Sequence, residues 1–198
     1  MGDGDGTPQV RRIDMTPAAR RALASASRLF YERGIHAVGV DLIAAEAGVT
    51  KKTLYDRFGS KEQIVVEYLA DRDERWRAYV GERLETAGPR AVDRVRAVFA
   101  ASRDWMDEHS PKGCGMVNAH AEISDPSHPA YAVITGQKRW MLRLFTDLAP
   151  AQARTLMLLH EGALVAHGLR VFADPIGVAC EEAVVLVEGV EAVGGHGS

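Results

Sequence analysis

An all-α fold is predicted by three features of the sequence. Apolar residues recur at three- and four-residue spacing, proline and hydroxyl residues open those stretches, and Gly- or Pro-containing segments separate them. Thr16-Pro17 is a helix start, a hydroxyl cap followed by proline at the first helical position. Leu23, Ala26, Leu29 and Phe30 then share a face, and Gly34 closes the helix. A short helix is expected from about Val40 to Ala47, a tight turn at Gly48-Val49, and a second short helix from Lys51 to Phe58 capped by Thr50. In it, Leu54 and Phe58 stand four apart and point to one core.

Gly59-Ser60 breaks the chain again, and Ser60 with Gln63 has the spacing of a capping box. A long helix follows from Lys61 to about Thr86, ended by Gly88-Pro89. Further helices are expected at 91–108, 116–123, 129–148, 151–173 and 175–193. Ser110-Pro111, Asp125-Pro126, Ala149-Pro150 and Asp174-Pro175 supply the separators. The apolar run Ala183–Val187 could be a buried strand taken alone, but its surroundings read as helix.

At 198 residues, 46% of them hydrophobic and 26% charged, the chain is expected to be a soluble globular protein of one or two domains. Its apolar runs are too short to cross a bilayer, and the acidic, Gly-rich opening MGDGDGTPQV lacks the apolar centre of a signal peptide. Two cysteines, Cys114 and Cys180, make no disulfide framework, so reduced thiols and a cytoplasmic location are expected. The net charge of −3 is unevenly spread. From Arg11 to Lys61 ten basic residues face five acidic ones, a net +5, which leaves −8 for the rest. A basic module on an acidic body suits a protein that offers one face to phosphates.

The stretch from Asp41 to Phe58 has the pattern of a helix-turn-helix. Apolar positions hold two helices at a steep angle, and the second carries Lys51, Lys52, Thr53, Tyr55 and Arg57 on its outer face. The two lysines suit phosphates or guanine edges, Thr53 a thymine methyl or a phosphate, and the Tyr55 hydroxyl a phosphate. Lys61 lies at the next helix start, where free backbone N–H groups also favour an anion. A plain helical hairpin with a solvated basic face would share this pattern.

The fuller run, Leu29-Phe30-Tyr-Glu-Arg-Gly34, Val40-Asp-Leu-Ile-Ala44, Ala47-Gly-Val-Thr50, Thr53-Leu-Tyr55 and Phe58-Gly-Ser-Lys-Glu62, resembles the TetR/AcrR family of bacterial transcriptional regulators. The resemblance covers about Thr16 to Leu69. It implies an N-terminal three-helix DNA-binding domain at 16–60, with the motif at about 39–58, and a helical ligand-binding and dimerisation domain at 61–193. Residues 1–15 and 194–198 are then expected as disordered tails. It also implies DNA contacts from Thr50, Lys51, Lys52, Thr53, Tyr55, Arg57 and Lys61. Gly39 stands where the family usually has a hydroxyl residue, so it can cap but forfeits a phosphate contact. Lys52 replaces a frequent glycine, and Asp56 puts a negative charge near the backbone path; both bear on operator sequence and affinity.

In the body, Lys112 to Glu122 with His128-Pro129 resembles one branch of the same family. A homodimer through 151–193 is implied, with Gly162, Ala163, Ala166 and Gly168 permitting close helix approach and Val178, Val185, Leu186 and Val190 forming an apolar seam. Two copies place two recognition helices roughly 34–36 Å apart, or a multiple of that, on a palindromic operator in double-stranded DNA. By residue type, a pocket for a small uncharged or amphipathic effector is expected from Phe99, Met106, Met116, His120, Trp140, Met141, Phe145, Met157 and His160, against the plainer alternative that most of these are core.

His120, Glu122, His128, His160, Glu161 and His167 lack the tight pairing of a metal motif, so no metal is expected. With no nucleophile elbow, Ser/His/Asp motif or phosphate loop, neither catalysis nor a cofactor is expected. The expectation is a repressor released from its operator by the effector. The rivals are a helical small-molecule enzyme and a non-specific architectural DNA binder.

Overall fold

The computed structural model describes residues 11–194, with side chains through Gly189. Among them run nine helices: α1 (Pro17–Arg33), α2 (Val40–Ala47), α3 (Lys51–Phe58), α4 (Lys61–Thr86), α5 (Ala91–His109), α6 (Gly115–Glu122), α7 (Tyr131–Leu148), α8 (Ala153–Leu169) and α9 (Pro175–Gly194). Of the tails expected at 1–15 and 194–198, residues 1–10 and 195–198 lie outside the described residues, as does the side chain of Val190.

Two compact units emerge. One takes the chain up to Asp73 together with Gly115–Gln137, and the other takes Glu74–Cys114 with the chain from Lys138 onward. In this grouping the first three turns of α4 and all of α6 belong with α1–α3.

Local chemistry sets the first unit's ends and angles. Thr16 Oγ1 accepts from the Ala19 N–H at 3.3 Å, Thr50 Oγ1 from the Thr53 N–H at 3.0 Å, and Ser60 Oγ from the Gln63 N–H at 3.2 Å. Gly39 caps α2 through its backbone alone. Gly48 closes α2 in the left-handed region at φ 63°, where a side chain would add strain. Leu23, Ala26, Leu29 and Phe30 of α1, Ile43 and Ala47 of α2, and Leu54 and Phe58 of α3 are buried, so α3 rests on α1 and α2 through one face. Ion pairs brace the joints: Arg28 of α1 with Glu46 of α2, and Lys51 of α3 with Asp41 of α2.

The second unit is a bundle in which α5 packs on α8 and α9, and α8 on α9. Its centre is aromatic: Trp76 and Tyr79 each lie 5.5 Å from Trp105, and Phe99 lies 6.2 Å from Phe145. The helix expected to reach residue 173 ends at Leu169, because Arg170 turns left-handed (φ 53°) and its N–H and that of Val171 fall back on His167 and Ala166 carbonyls. No glycine marks that stop. Asp174, also at positive φ, then caps α9 by accepting from the Gly177 N–H at 3.0 Å.

Candidate functional site

The outer face of α3 is the basic face the sequence implied. Lys51, Lys52, Tyr55 and Arg57 are exposed, and Thr53 is half-buried. Its cations are not all bare. Lys51 Nζ lies 3.0 Å from Asp41, and that hydrogen bond and charge raise the lysine pKa. Lys52 Nζ lies 2.7 Å from Asp56 one turn on. The Thr50 and Thr53 hydroxyls pair with each other at 2.8 Å, and Thr50 also takes the Thr53 N–H, so both begin engaged in capping α3. Gly39 is exposed before α2 and offers only its backbone.

At the start of α4 the protein's own acceptors fill part of the expected anion site. Ser60 takes the Gln63 N–H, and the Glu62 carboxylate is held below its ordinary pKa, first by its own backbone N–H and then by the Ser60 hydroxyl. Lys61 is half-buried beside them. The capping box is also altered. The Gln63 amide leaves its expected partner and donates to the Arg11 carbonyl at 2.7 Å and to Glu67 at 3.1 Å.

Of the residues chosen as pocket-lining, Phe99, Met106, Met141, Phe145 and His160 are buried together in the second unit, with Trp140 and Met157 partly buried against the same cluster. Met116 and His120 belong to the first unit, Met116 buried and His120 exposed beside Tyr131. The His160 ring sits between Phe99 and Phe145, at 5.8 and 5.7 Å. Its Nε2 meets Ser102 Oγ at 2.9 Å, and Nδ1 faces Glu161 at 3.4 Å. Burial holds His160 below its ordinary pKa, hence neutral; Ser102 Oγ, beside Nε2, also lies 2.8 Å from the Val98 carbonyl, so its single proton serves one of the two acceptors at a time. Glu161 then receives Lys138 Nζ at 2.7 Å, which also lies 3.3 Å from Cys114 Sγ. Burial alone would raise Glu161, but His160 and Lys138 outweigh it and hold the carboxyl at about 2. A chain of polar groups thus enters an otherwise apolar core.

A sequence model described as bacterial regulatory proteins of the tetR family matches residues 22–68. The fold matches the crystal structure of a TetR-family transcriptional regulator from Streptomyces coelicolor with a TM-score of 0.76. Identity is 36%, over 87% of this chain and 93% of that one. The chain belongs to the TetR family. Among curated relatives it is 30% identical over 121 residues to the HTH-type transcriptional activator FasR of Mycolicibacterium smegmatis, covering 61% of this chain and 54% of that protein. It is 28% identical over 130 residues to the HTH-type transcriptional repressor KstR2 of Mycobacterium tuberculosis, covering 64% of this chain and 62% of that protein. This chain therefore spans little more than half the length of those two relatives. TetR-family proteins are transcriptional regulators, not enzymes.

Other side chains of this TetR-family protein have roles that the sequence did not announce. Glu122, weighed as a metal ligand, caps the α1–α2 connection, accepting from the Ile35 and His36 N–H groups at 2.8 and 2.6 Å. His167 lies 3.5 Å from Asp107, so the residues considered for a metal are dispersed on separate tasks, and no group of three forms a candidate site among the described residues. Among the small residues assigned to a subunit interface, Ala163 is buried within the second unit. Gly168 is pressed on Gly113, where an added Cβ would come 2.6 Å from the Gly113 Cα. Gly162 remains exposed. The exposed apolar residues of α8 are Leu158, Val165 and Leu169, with Val178, Val185 and Leu186 on α9. Among the described residues no helix is long and apolar enough to cross a membrane.

Proposed function

We propose that the protein is a dimeric, cytoplasmic repressor that binds a palindromic operator through α3 and leaves it when a small apolar or amphipathic effector enters the body. One observation carries the DNA reading. α3 is an eight-residue helix fixed on α1 and α2 by Leu54 and Phe58, while Lys51, Lys52, Tyr55 and Arg57 cover its free face. A rigidly mounted, short, basic helix is what a major groove accepts. Gly39, Thr50, Thr53 and Lys61 complete the proposed contact set. The DNA-binding domain is residues 16–60 and the regulatory domain 61–193.

Family membership and the exposed apolar stripe on α8 and α9 support a homodimer through 151–193. For the effector, the Phe99, Met141, Phe145 and Met106 cluster offers apolar surroundings, and Ser102, His160, Glu161 and Lys138 offer a polar spot that orients a head group. α4 runs without a break from the first unit into the second, so a change in the body reaches the recognition helix through its backbone. Coupling of this kind is reciprocal: operator weakens effector binding by the factor that effector weakens operator binding.

Selection of bound sequences from a random duplex pool tests the reading. An inverted repeat should emerge, and a promoter carrying it should be less active with the protein present. Retention of every sequence alike would replace this function with non-specific DNA binding.

A further inference from the structure

Glu67 is a carboxylate with no exposed surface, set in the apolar run Ile64–Ala70 of α4. Packing alone would favour an aliphatic side chain there, since an ionised group loses its hydration on burial. What it binds explains its presence. Arg12 Nε donates to Oε2 at 2.8 Å, the Ile13 N–H to Oε1 at 2.9 Å, and the Gln63 amide to Oε1 at 3.1 Å while also holding the Arg11 carbonyl at 2.7 Å. Arg20 Nε grips the next stretch at the Met15 carbonyl, 3.0 Å away. Residues 11–15, expected as part of a tail, are an arm clamped along α4.

We propose that this arm is a second DNA-contact element, held by Glu67 so that Arg11 meets phosphates flanking the half-site read by α3. The proposal rests on the DNA-binding function above. Gln63 stands two residues past Lys61, so the Arg11 backbone is fixed beside the end of α4 that follows directly on the recognition helix. The Arg12 charge is matched by Glu67, whereas Arg11 is exposed. An arm tied down before DNA arrives delivers its arginine without the ordering cost of a loose tail.

The test uses the full chain and a duplex selected by it, titrated across salt concentrations. Arg11→Ala should lower affinity several-fold without changing the preferred sequence and reduce the slope of log affinity on log salt by roughly 0.9, the value of one phosphate. Glu67→Gln, with folding checked by circular dichroism, should do the same, and the double variant should lose no more than either alone. Wild-type affinity and slope in both single variants, with Lys61→Ala weakened, would overturn the arm while leaving the regulator reading intact. Failure of the wild type to prefer any duplex would overturn both. A changed base preference outside the palindrome would place Arg11 in the minor groove and overturn the phosphate assignment.

Discussion

Lys138 and Glu161 form an ion pair of 2.7 Å inside the second unit, with each side chain 23% exposed. Removing one partner strands the other charge. A fully buried pair broken this way costs about 3–5 kcal/mol, and partial exposure lowers the expectation here to about 1–3 kcal/mol. Lys138→Met and Glu161→Gln should each destabilise by that amount in chemical denaturation, and the double replacement by less than the sum. Additive losses would mean that the two groups do not support each other.

Acid should weaken the same region in two stages. Burial pushes His160 below its ordinary 6.5, so between that value and the folded one the unfolded chain binds the extra proton. Stability is then complete above about 6.5 and falls with pH at up to about 1.4 kcal/mol per unit per proton. Glu161, at about 2 against an ordinary 4.5, adds a second loss as pH drops from 4.5 toward 2. Melting temperature measured from pH 7.5 to 4 should therefore fall, and His160→Gln should flatten the limb above pH 5. An unchanged slope in that variant removes His160 from the account.

Gly168 should tolerate no side chain. A Cβ there would lie 2.6 Å from the Cα and 2.8 Å from the N of Gly113, both backbone atoms that cannot rotate away. Gly168→Ala should cost about 1–3 kcal/mol as overpacking, read from the denaturation midpoint. Gly81→Ala in α4, with open space around its Cα and outside the proposed subunit interface, is the control and should be near neutral or slightly stabilising.

Local signals explain which parts of this molecule the sequence disclosed. Thr16, Gly34, Thr50 and Ser60 act within four residues of their own position, so helix ends were legible wherever a cap or glycine marked them. The end of α8 was not, because Arg170 takes a left-handed conformation that its type disfavours. The basic face of α3 was legible as periodicity. Its neutralisation by Asp41 was not, because that partner sits on another helix. Glu67 left a trace, a lone carboxylate in an apolar run, but two of its partners, Arg12 and Ile13, are more than fifty residues away.

Asp56 should act as a brake on DNA affinity. Its pair with Lys52 is exposed and spaced i,i+4, a geometry worth only about 0.3–0.5 kcal/mol to the helix. Near phosphates its charge repels, and it occupies the ammonium that could release a counterion. Asp56→Asn should raise affinity for the selected duplex several-fold at low salt, with a steeper salt dependence and almost unchanged stability. Equal affinity would show that this side of α3 stands away from the backbone.

Leu158, Val165 and Leu169 recur at seven and four residues along the solvent face of α8, and Leu158 is 75% exposed. A stripe this apolar gains by being covered, and stable pairs bury about 1,200–2,000 Å² in total. Leu158→Glu removes no contact inside the subunit worth counting, so folding should survive while two carboxylates oppose each other across a twofold axis. Sedimentation should then report a monomer with wild-type helicity, and binding to the palindrome should fall far more than binding to a single half-site, since the second recognition helix is no longer tethered. A dimer that persists in Leu158→Glu would place the subunit contact elsewhere.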